Sequence, residues 1–504
     1  MPVQPSYPGV YIEEVPSGQR TITAVSTSVA AFVGRTARGD INAPIRCFSF
    51  ADFERKCGGL WSESELGYAV YHFYLNGGSE AIVSRVATGA QAATVELPET
   101  DSAIPLSLEA ASPGSWGNRL QATVSYGTAG EIGELTDPDL FHLTIEEIDP
   151  LTAQAVTTET FSAVSVSEGS PRYVATVLAQ QSRLARVDTT AVPPDRPDEG
   201  TLSFVPGSGT DGGDGSIGDY EDAIDRLLLA DIVNLLVLPP PDRVTSIATA
   251  VLDKALSFCT EQRAMLLVDP PARWADYEAA ARLDGGYSTY RSANSAFFYP
   301  QMLAPDPLQE GRARAFAPSG AIAGVIARTD TERGVWKAPA GITARLQGAT
   351  GLTIPLTDDE NGVLNPKGIN ALRQLPIHGP VIWGSRTGVG ADVLASEWKY
   401  FPVRRTALFI EQTLHRNLRW AVFEPNDEPL WAQLRQSVGD FMRTLFRQGA
   451  FAGETAREAY SVQCGPTTTT PDDVARGVVN ILVGFAPLRP AEFIVLQFQQ
   501  LAGQ

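Results

Sequence analysis

The run IVNLLVL at 232–238 is apolar at six of its seven positions and is followed directly by Pro239-Pro240-Pro241. A strand that is covered on both faces has such a composition, whereas a half-exposed strand alternates apolar and polar residues. The next residues predict a helix over 244–259 and a second buried strand over 264–268. A strand, a helix and a strand in that order are typical of a parallel sheet with helices on its faces. We therefore predict a three-layer α/β domain over 205–375.

The same alternation occurs earlier in the chain. Residues 24–36 are small and β-branched and predict a buried strand. The aromatic-rich stretch 66–75 predicts a helix that ends at Asn76-Gly77-Gly78, and 81–86 predict a further strand. We expect residues 24–92 to form the first part of the same central domain.

An insertion separates the two parts. From about residue 88 the chain becomes rich in Thr, Ser, Ala and Glu, with short alternating runs such as Leu140 to Ile148 and Tyr173 to Leu178. Such alternation is typical of half-exposed strands. We predict a mostly β inserted domain over 93–204, with an exit linker at 193–198 (PPDRPD).

From about residue 376 the pattern changes to an α+β domain, predicted over 376–488. It contains helices over 407–418 and 429–448 and a strand over 478–485, and a further strand is predicted after it over 493–498. In the second helix the apolar residues fall on one broad face; Gln436, Asp440, Arg443 and Arg447 fall opposite, with Arg435 at the flank. This polar face is either simply solvated or a docking face for an acidic partner.

Both ends of the chain have the character of arms, predicted over 1–23 and 489–504. Pro2, Pro5 and Pro8 favour extended backbone, and strand-forming residues follow. A short apolar strand at a free end needs a sheet edge to join. The stretch 493–498 is apolar on both faces, so it is either an internal strand of its own domain or a strand that pairs between subunits. We predict inter-subunit pairing through Tyr7, Pro8, Gly9, Val10, Tyr11, Ile12, Phe493, Ile494, Val495, Leu496 and Phe498.

Strand addition at both ends is β-augmentation, and head-to-tail contacts of that kind generate open helical polymers. The composition is compatible with this. A formal net charge of −19 argues against nucleic-acid binding. Residues 1–20 lack a signal-peptide pattern, and no apolar run approaches membrane-spanning length, so we expect no membrane insertion. The four scattered cysteines predict free buried thiols and a reducing compartment.

No motif in the sequence is a strong signal for a catalytic or ligand-binding site. The glycine-rich loop 207–215 lacks the Gly-Lys-Ser/Thr of a phosphate loop, and its Asp211 and Asp214 lack calcium-loop spacing. Ser319 lacks the first glycine of a nucleophile elbow, and Asp269 has no identified catalytic partner. The four histidines do not have metal-ligand spacing. We expect no catalytic, metal or cofactor site; a hydrolase-like enzyme is a weak alternative, and a non-contractile assembly protein is another.

Several segments resemble the contractile tail sheath family. They are YPGVYIEE (7–14), NGGSEAIVSRVA (76–87), SPGSWGNRLQATV (112–124), loop 207–215, APSGAIAGVIARTDTERGVWKAPAG (317–341), VIWGSRT (381–387), 404–453 and LVGFAPLRPAEFIVLQF (482–498). The resemblance extends over nearly the whole chain, and 317–341 is its most specific part.

The resemblance implies a structural subunit that polymerises helically, with sixfold rings, around an inner tube and contracts to drive that tube through a target envelope. It implies a central domain that is subtilisin-like in shape, and arms that add strands to the C-terminal domains of neighbours. Baseplate and terminal cap proteins are the further implied partners. Assembly is expected in the cytoplasm, within a phage tail-like particle that stays in the cell or is released. For tube contact we single out Arg435, Gln436, Arg443 and Arg447.

Overall fold

A computed structural model describes residues 21–100, 104–127, 135, 137, 139–190 and 192–495. The described chain divides into two compact units. We call 27–332 with 339–401 the body, and 21–26, 333–338 and 402–495 the terminal unit.

The body begins with the alternation that the sequence predicts. Its first elements are β1 (Ala30–Arg35), β2 (Ile45–Cys47), α1 (Phe50–Cys57), α2 (Leu66–Leu75) and β3 (Ala81–Val86). Helix α2 has the predicted limits and ends at Asn76, whose side-chain amide donates to the carbonyl of His72. Every residue of β1 and β3 is buried, as expected for strands inside a sheet.

The insertion is mostly β, as predicted. It contains β4 (Thr94–Leu97), β5 (Leu106–Ala110), β6 (Leu120–Ser125), β7 (Leu140–Ile148), β8 (Ala155–Ser165), α3 (Val174–Gln181), β9 (Ala185–Val187) and β10 (Gly200–Ser203). Two antiparallel sheets, β10-β6-β7-β8 and β4-β5-β9, share one hydrophobic core. The predicted strand at Tyr173–Leu178 is wrong. Helix α3 occupies it, because Val174, Val177 and Leu178 at helical spacing all reach that core.

The chain then returns to the body. Its further elements are α4 (Ile217–Arg226), β11 (Leu235–Val237), α5 (Thr249–Glu261), β12 (Met265–Val268), α6 (Tyr277–Arg282), β13 (Ser295–Tyr299), β14 (Met302–Asp306), β15 (Arg312–Phe316), α7 (Ser319–Arg333), β16 (Gly351–Leu352), α8 (Asp358–Leu364), β17 (Ile369–Leu375) and β18 (Gly379–Ile382). The predicted strands at 232–238 and 264–268 are present, the first with fewer residues. Helix α5 starts at Thr249 and not at Val244, because Asp242 holds the amides of Val244 and Thr245 in a turn.

Eight strands of the body form one sheet in the order β18-β17-β13-β12-β11-β1-β3-β2, and β15-β14-β16 form a separate sheet. The eight-stranded sheet is parallel from β17 to β3 and antiparallel only at its two edges. The sheet therefore extends to Ile382, and the predicted boundary at 375/376 falls inside its last hairpin. The terminal unit takes over at Pro402.

The packing of helix α7 against α2 explains the two glycines in the sequence PSGAIAGVIAR. A Cβ on Gly320 would lie 2.3 Å from the carbonyl oxygen of Ala69, and one on Gly324 would lie 2.4 Å from that of Phe73. The two glycines thus let α7 approach α2 at backbone distance. Arg328 continues the contact by donating to the carbonyl of Asn76 at 2.9 Å. This motif builds the centre of the body.

The terminal unit contains the rest of the described elements. They are α9 (Phe401–Asn417), α10 (Glu428–Arg447), α11 (Ala456–Ala459), β19 (Tyr460–Gln463), α12 (Pro471–Ala475) and β20 (Leu482–Phe485). Residues from α9, α10 and the segment around Phe451 form its main core, against which Val335 also packs.

Candidate assembly surface

The terminal unit carries a two-stranded antiparallel ribbon, β19–β20. Tyr460 pairs with Phe485 and Val462 with Val483, so these four side chains share one face. They pack, partly buried, against the core of the unit. Among the described residues the ribbon has no third strand. A lone ribbon is marginally stable in water, and its edges leave backbone N–H and C=O groups unpaired.

The nearest backbone partner of β20 other than β19 lies just after the strand ends. The amide of Ala452 donates to the carbonyl of Ala486 at 2.9 Å, just after β20. The edge of β20 itself, over Leu482–Phe485, has no such neighbour among the described residues. Within the described chain, the edge of β20 can therefore accept a further extended segment.

The first described residues of the chain are held against α9. The side chain of Asn417 accepts from the amide of Thr23 at 3.0 Å and donates to the carbonyl of Thr23 at 2.9 Å. Two residues later the amide of Val25 donates to the hydroxyl of Thr413. Ile22 and Val25 pack against the unit's core. The root of the N-terminal arm is thus held at a defined place. The predicted arm residues Tyr7, Pro8, Gly9, Val10, Tyr11 and Ile12 lie outside the described residues.

The described end of the C-terminal run has exposed apolar side chains. Phe493, Ile494 and Val495 are 74%, 84% and 80% exposed. They form no strand within the single chain, so the predicted strand over 493–498 is absent from its described part. Leu496 and Phe498 lie outside the described residues. Three consecutive exposed apolar side chains are typical of a segment that another surface covers.

Helix α10 spans Glu428–Arg447 and differs from its predicted limits, 429–448, by one residue at each end. Asp427 caps it by accepting from the amide of Leu430, and Pro429 occupies the first turn. Its buried face is the predicted apolar one, consisting of Leu430, Trp431, Leu434, Ser437, Val438, Phe441, Met442 and Leu445.

The opposite face of α10 is polar. Gln436, Arg443 and Arg447 are exposed, and Arg443 lies 3.6 Å from Asp440. Arg435 differs from them. It is half-buried, pairs with Glu428 at 2.7 Å and donates to the carbonyl of Cys464. Arg435 therefore ties α10 to the segment after β19, and Arg443 and Arg447 are the arginines of this face that a partner can reach.

The structure brings Ser319 and Asp269 together. The carboxylate of Asp269 accepts from the amide of Ser319 at 2.8 Å and from its hydroxyl at 2.5 Å. Burial raises the pKa of Asp269 to about 7, and the two hydrogen bonds oppose this rise. The hydroxyl donates to the carboxylate, and Ser319 begins α7. This geometry caps a helix at its positive end.

The glycine-rich loop 207–215 is hydrogen-bonded to residues of the inserted domain. Asn118 accepts from the amide of Gly209 and donates to its carbonyl, both at 2.9 Å. Asp211 accepts from the amide of Ser115, and Asp214 pairs with Arg35 at 2.7 Å. Both aspartates are thus engaged within the chain. The neighbouring Trp116 is buried, and Arg38 stacks over its ring.

Other candidate groups are embedded in the fold. All four cysteines, Cys47, Cys57, Cys259 and Cys464, are free and buried, as predicted. Burial lowers the pKa of His72 to about 4, so this histidine is neutral near pH 7. Within the described residues no group of acidic, histidine or cysteine side chains is arranged to hold a metal ion. None of the helices in that part of the chain has the length and apolarity needed to cross a membrane.

Two features of this surface were not predicted from the sequence. Asn417 binds Thr23 across 394 residues, and no local pattern indicates that contact. The loop between α9 and α10 presents Phe423 fully to solvent at a positive φ of 71°. In the sequence the only sign of it is an aromatic residue between two apolar-rich helices, two positions before Pro425.

Comparison with known proteins agrees with this architecture. The family model described as phage tail sheath protein central domain matches residues 216–388, and the one described as phage tail sheath C-terminal domain matches 395–500. The tail sheath protein of Burkholderia phage BcepMu is 32% identical over 141 residues, 27% of this chain and 29% of its own length. That of enterobacteria phage T4 is 25% identical over 260 residues, 51% of this chain and 38% of its own length. The chain thus spans less than half the length of the curated relatives it matches.

A solved structure extends the likeness to almost the whole chain. The helical sheath of the anti-feeding prophage in its contracted state is 25% identical, with a TM-score of 0.59, over 98% of this chain and 99% of that one. Together with the two matching domain models, this shows that the chain belongs to the phage tail sheath family.

Proposed function

We propose that this chain is the sheath subunit of a contractile phage tail-like particle, and that its copies polymerise helically around an inner tube. The observation that carries the proposal is the open ribbon β19–β20 in a chain of the sheath family. Exposed apolar residues at 493–495 supply a strand for such an edge, and the N-terminal arm, rooted at Asn417, supplies a second.

In this proposal, strand exchange links the copies into a continuous polymer. A strand that is donated to another copy leaves its own ribbon open to receive one, so each copy is both donor and acceptor. Contacts of this head-to-tail kind do not close into dimers but continue as helices or stacked rings. Sixfold rings, a tube inside them, and baseplate and cap proteins at the ends are part of this proposal. One structural neighbour comes from the sixfold-symmetrised baseplate of the anti-feeding prophage.

Contraction requires two packings of the same subunits, of which the contracted one has the lower free energy. Strand pairing keeps neighbours connected while the contacts of the bodies exchange. On this view the arms are tethers, and the energy of contraction comes from the surfaces of the bodies and terminal units.

Removal of residues 1–20 tests the linkage. The truncated chain keeps Ile22, Thr23 and Val25, so the arm root and the core that it covers remain. We expect monomers or short oligomers by sedimentation velocity where the full chain forms long polymers. Long polymers of normal appearance from the truncated chain would contradict strand exchange by the N-terminal arm.

A further inference from the structure

The loop between α9 and α10 contains a turn whose geometry conflicts with its sequence. The amide of Glu424 donates to the carbonyl of Ala421 at 3.3 Å, so Val422 and Phe423 are the two central residues. Val422 has φ −70° and ψ 130°, and Phe423 has φ +71°. These are the angles of a type II turn, in which the second central position requires glycine or asparagine. A bulky side chain at such an angle is strained.

The turn holds apolar side chains in solvent. Phe423 is 101% and Val422 61% exposed. Asn426 fixes the loop from behind, since it donates to the carbonyl of Val478 at 3.0 Å and accepts from the indole of Trp431 at 2.9 Å. Val478 is itself exposed, and β20 begins four residues later at exposed Leu482. We call the exposed apolar residues Val422, Phe423 and Val478 the patch; the hydrogen bond of Asn426 to Val478 ties the loop to the segment that leads into β20.

Charge indicates which partner can approach this patch. Residues 402–504 contain ten basic and ten acidic residues, and the rest of the chain carries the whole net charge of −19. Two copies repel each other through their acidic parts and can approach at low electrostatic cost only through the neutral part. Strain maintained at an exposed position, next to a sheet edge proposed for self-pairing, indicates a function in contact.

We propose that the patch of Val422, Phe423 and Val478 is a contact between copies of this chain, with Phe423 as its anchor. The contact rests on the proposed sheath function and adds to it a second attachment beside the exchanged strands. Aromatic anchors that are held rigid before binding contribute most to such contacts, because little side-chain entropy remains to be lost.

The test is Phe423→Asn in the full chain, with Ile377→Asn as its matched control. Ile377 is 97% exposed and has the same φ of +71°, but lies in the β17–β18 hairpin of the body. Asparagine tolerates this φ, so both variants relieve strain and should raise the melting temperature of the subunit by about 1–4 °C. Only Phe423→Asn should lower polymer yield in sedimentation, by tenfold or more. Equal polymer yield for wild type and Phe423→Asn, or an equal loss in both variants, would overturn the inference.

A cross-linking experiment identifies the occupant. Phe423 is replaced by p-benzoylphenylalanine, which keeps the ring, and polymers formed with the tube protein are irradiated. A cross-link to a second copy of the chain supports the proposal. A cross-link to the tube protein, or none in intact polymers, contradicts it. If the wild-type chain forms no polymer at all, the proposed sheath function fails first, and this contact fails with it.

Discussion

Asn417 and Thr23 form a reciprocal pair of hydrogen bonds, in which one side-chain amide satisfies both backbone groups of a residue at the base of the N-terminal arm. The pair imitates one step of a β-ladder. It fixes the position of Thr23 against α9 in the terminal unit.

Loss of this pair should loosen the arm root. In Asn417→Ala the amides of Thr23 and Val25 should exchange with deuterium at least tenfold faster, since about 1–2 kcal/mol of hydrogen bonding is lost there. Asn417→Asp keeps the acceptor for the Thr23 amide but not the donor to its carbonyl. Its amide exchange rates should therefore lie between those of wild type and Asn417→Ala. Unchanged exchange in Asn417→Ala would show that Ile22 and Val25 hold the root without Asn417.

Because α7 contacts α2 at backbone distance, adding one methyl group to α7 at this contact should destabilise the subunit. Gly320→Ala should destabilise the subunit by about 1–3 kcal/mol or more in chemical denaturation, because its Cβ would lie within 2.3 Å of the Ala69 carbonyl.

Gly439→Ala is the matched control for that variant. Gly439 lies inside α10 with nothing within 4 Å of an added Cβ. The change should therefore stabilise the subunit by about 0.5–1 kcal/mol through helix propensity. The same sign for both variants would contradict the proposed close approach.

Asp269 predicts a pH dependence near neutrality. Burial raises its pKa in the folded chain to about 7, well above the ordinary aspartate value of 3.8, so the fold favours the protonated carboxyl. The corresponding stability is fully present below pH 4 and is lost as the pH rises through 7. Asp269→Asn keeps a donor and an acceptor for Ser319 and cannot ionise. Its free energy of unfolding should fall less than that of wild type between pH 4 and pH 8.

Asp219 supplies a control of opposite sign. Hydrogen bonds from Ser216 and Thr88 lower its pKa, so its contribution is lost as the pH falls through that lowered value. Asp219→Asn should therefore differ from wild type at neutral pH and converge with it in acid. If Asp269→Asn followed the wild-type pH profile throughout, ionisation of Asp269 would not be the cause.

The polar face of α10 predicts a salt-sensitive contact with the tube. Reversal of both exposed arginines, Arg443→Glu and Arg447→Glu, should reduce co-purification of tube protein with extended sheath by at least tenfold at low salt. Charge interactions across such a face are screened within about 10 Å at 0.1 M salt, so the difference should shrink at high salt.

The control for this pair is Arg312→Glu with Arg457→Glu, which changes the net charge equally at exposed sites on elements other than α10. If the control pair reduced tube binding as much as the α10 pair, net charge and not this face would be responsible. If neither did, Arg443 and Arg447 would not contact the tube.

The sequence was most informative where local periodicity and burial coincide. Strand β11, helix α2 and helix α10 follow from runs whose own pattern determines both type and face. Tyr173–Leu178 was misassigned because six residues with Val174, Val177 and Leu178 fit alternation nearly as well as a helical turn. The body's end at Phe401 was missed because membership of β17 and β18 in the sheet depends on strands far away in sequence.

The candidate surface was predictable only in part. The apolar arms and the arginines of α10 stand out from composition, but whether an arginine is engaged depends on tertiary contacts. Arg435 has the same chemistry as Arg443, yet its partners Glu428 and Cys464 withdraw it from the free face. The strained turn at Phe423 could not be recognised, since φ is not encoded in the identity of a phenylalanine.

Cryo-electron microscopy of polymers formed by the full chain tests strand exchange at the ribbon. We predict that the β19–β20 ribbon becomes a sheet of at least three strands, with the added strands traced to residues near 10–12 or 493–498 of other copies. Polymers in which the ribbon still has two strands, or in which each copy's arms pair only with its own ribbon, would contradict it.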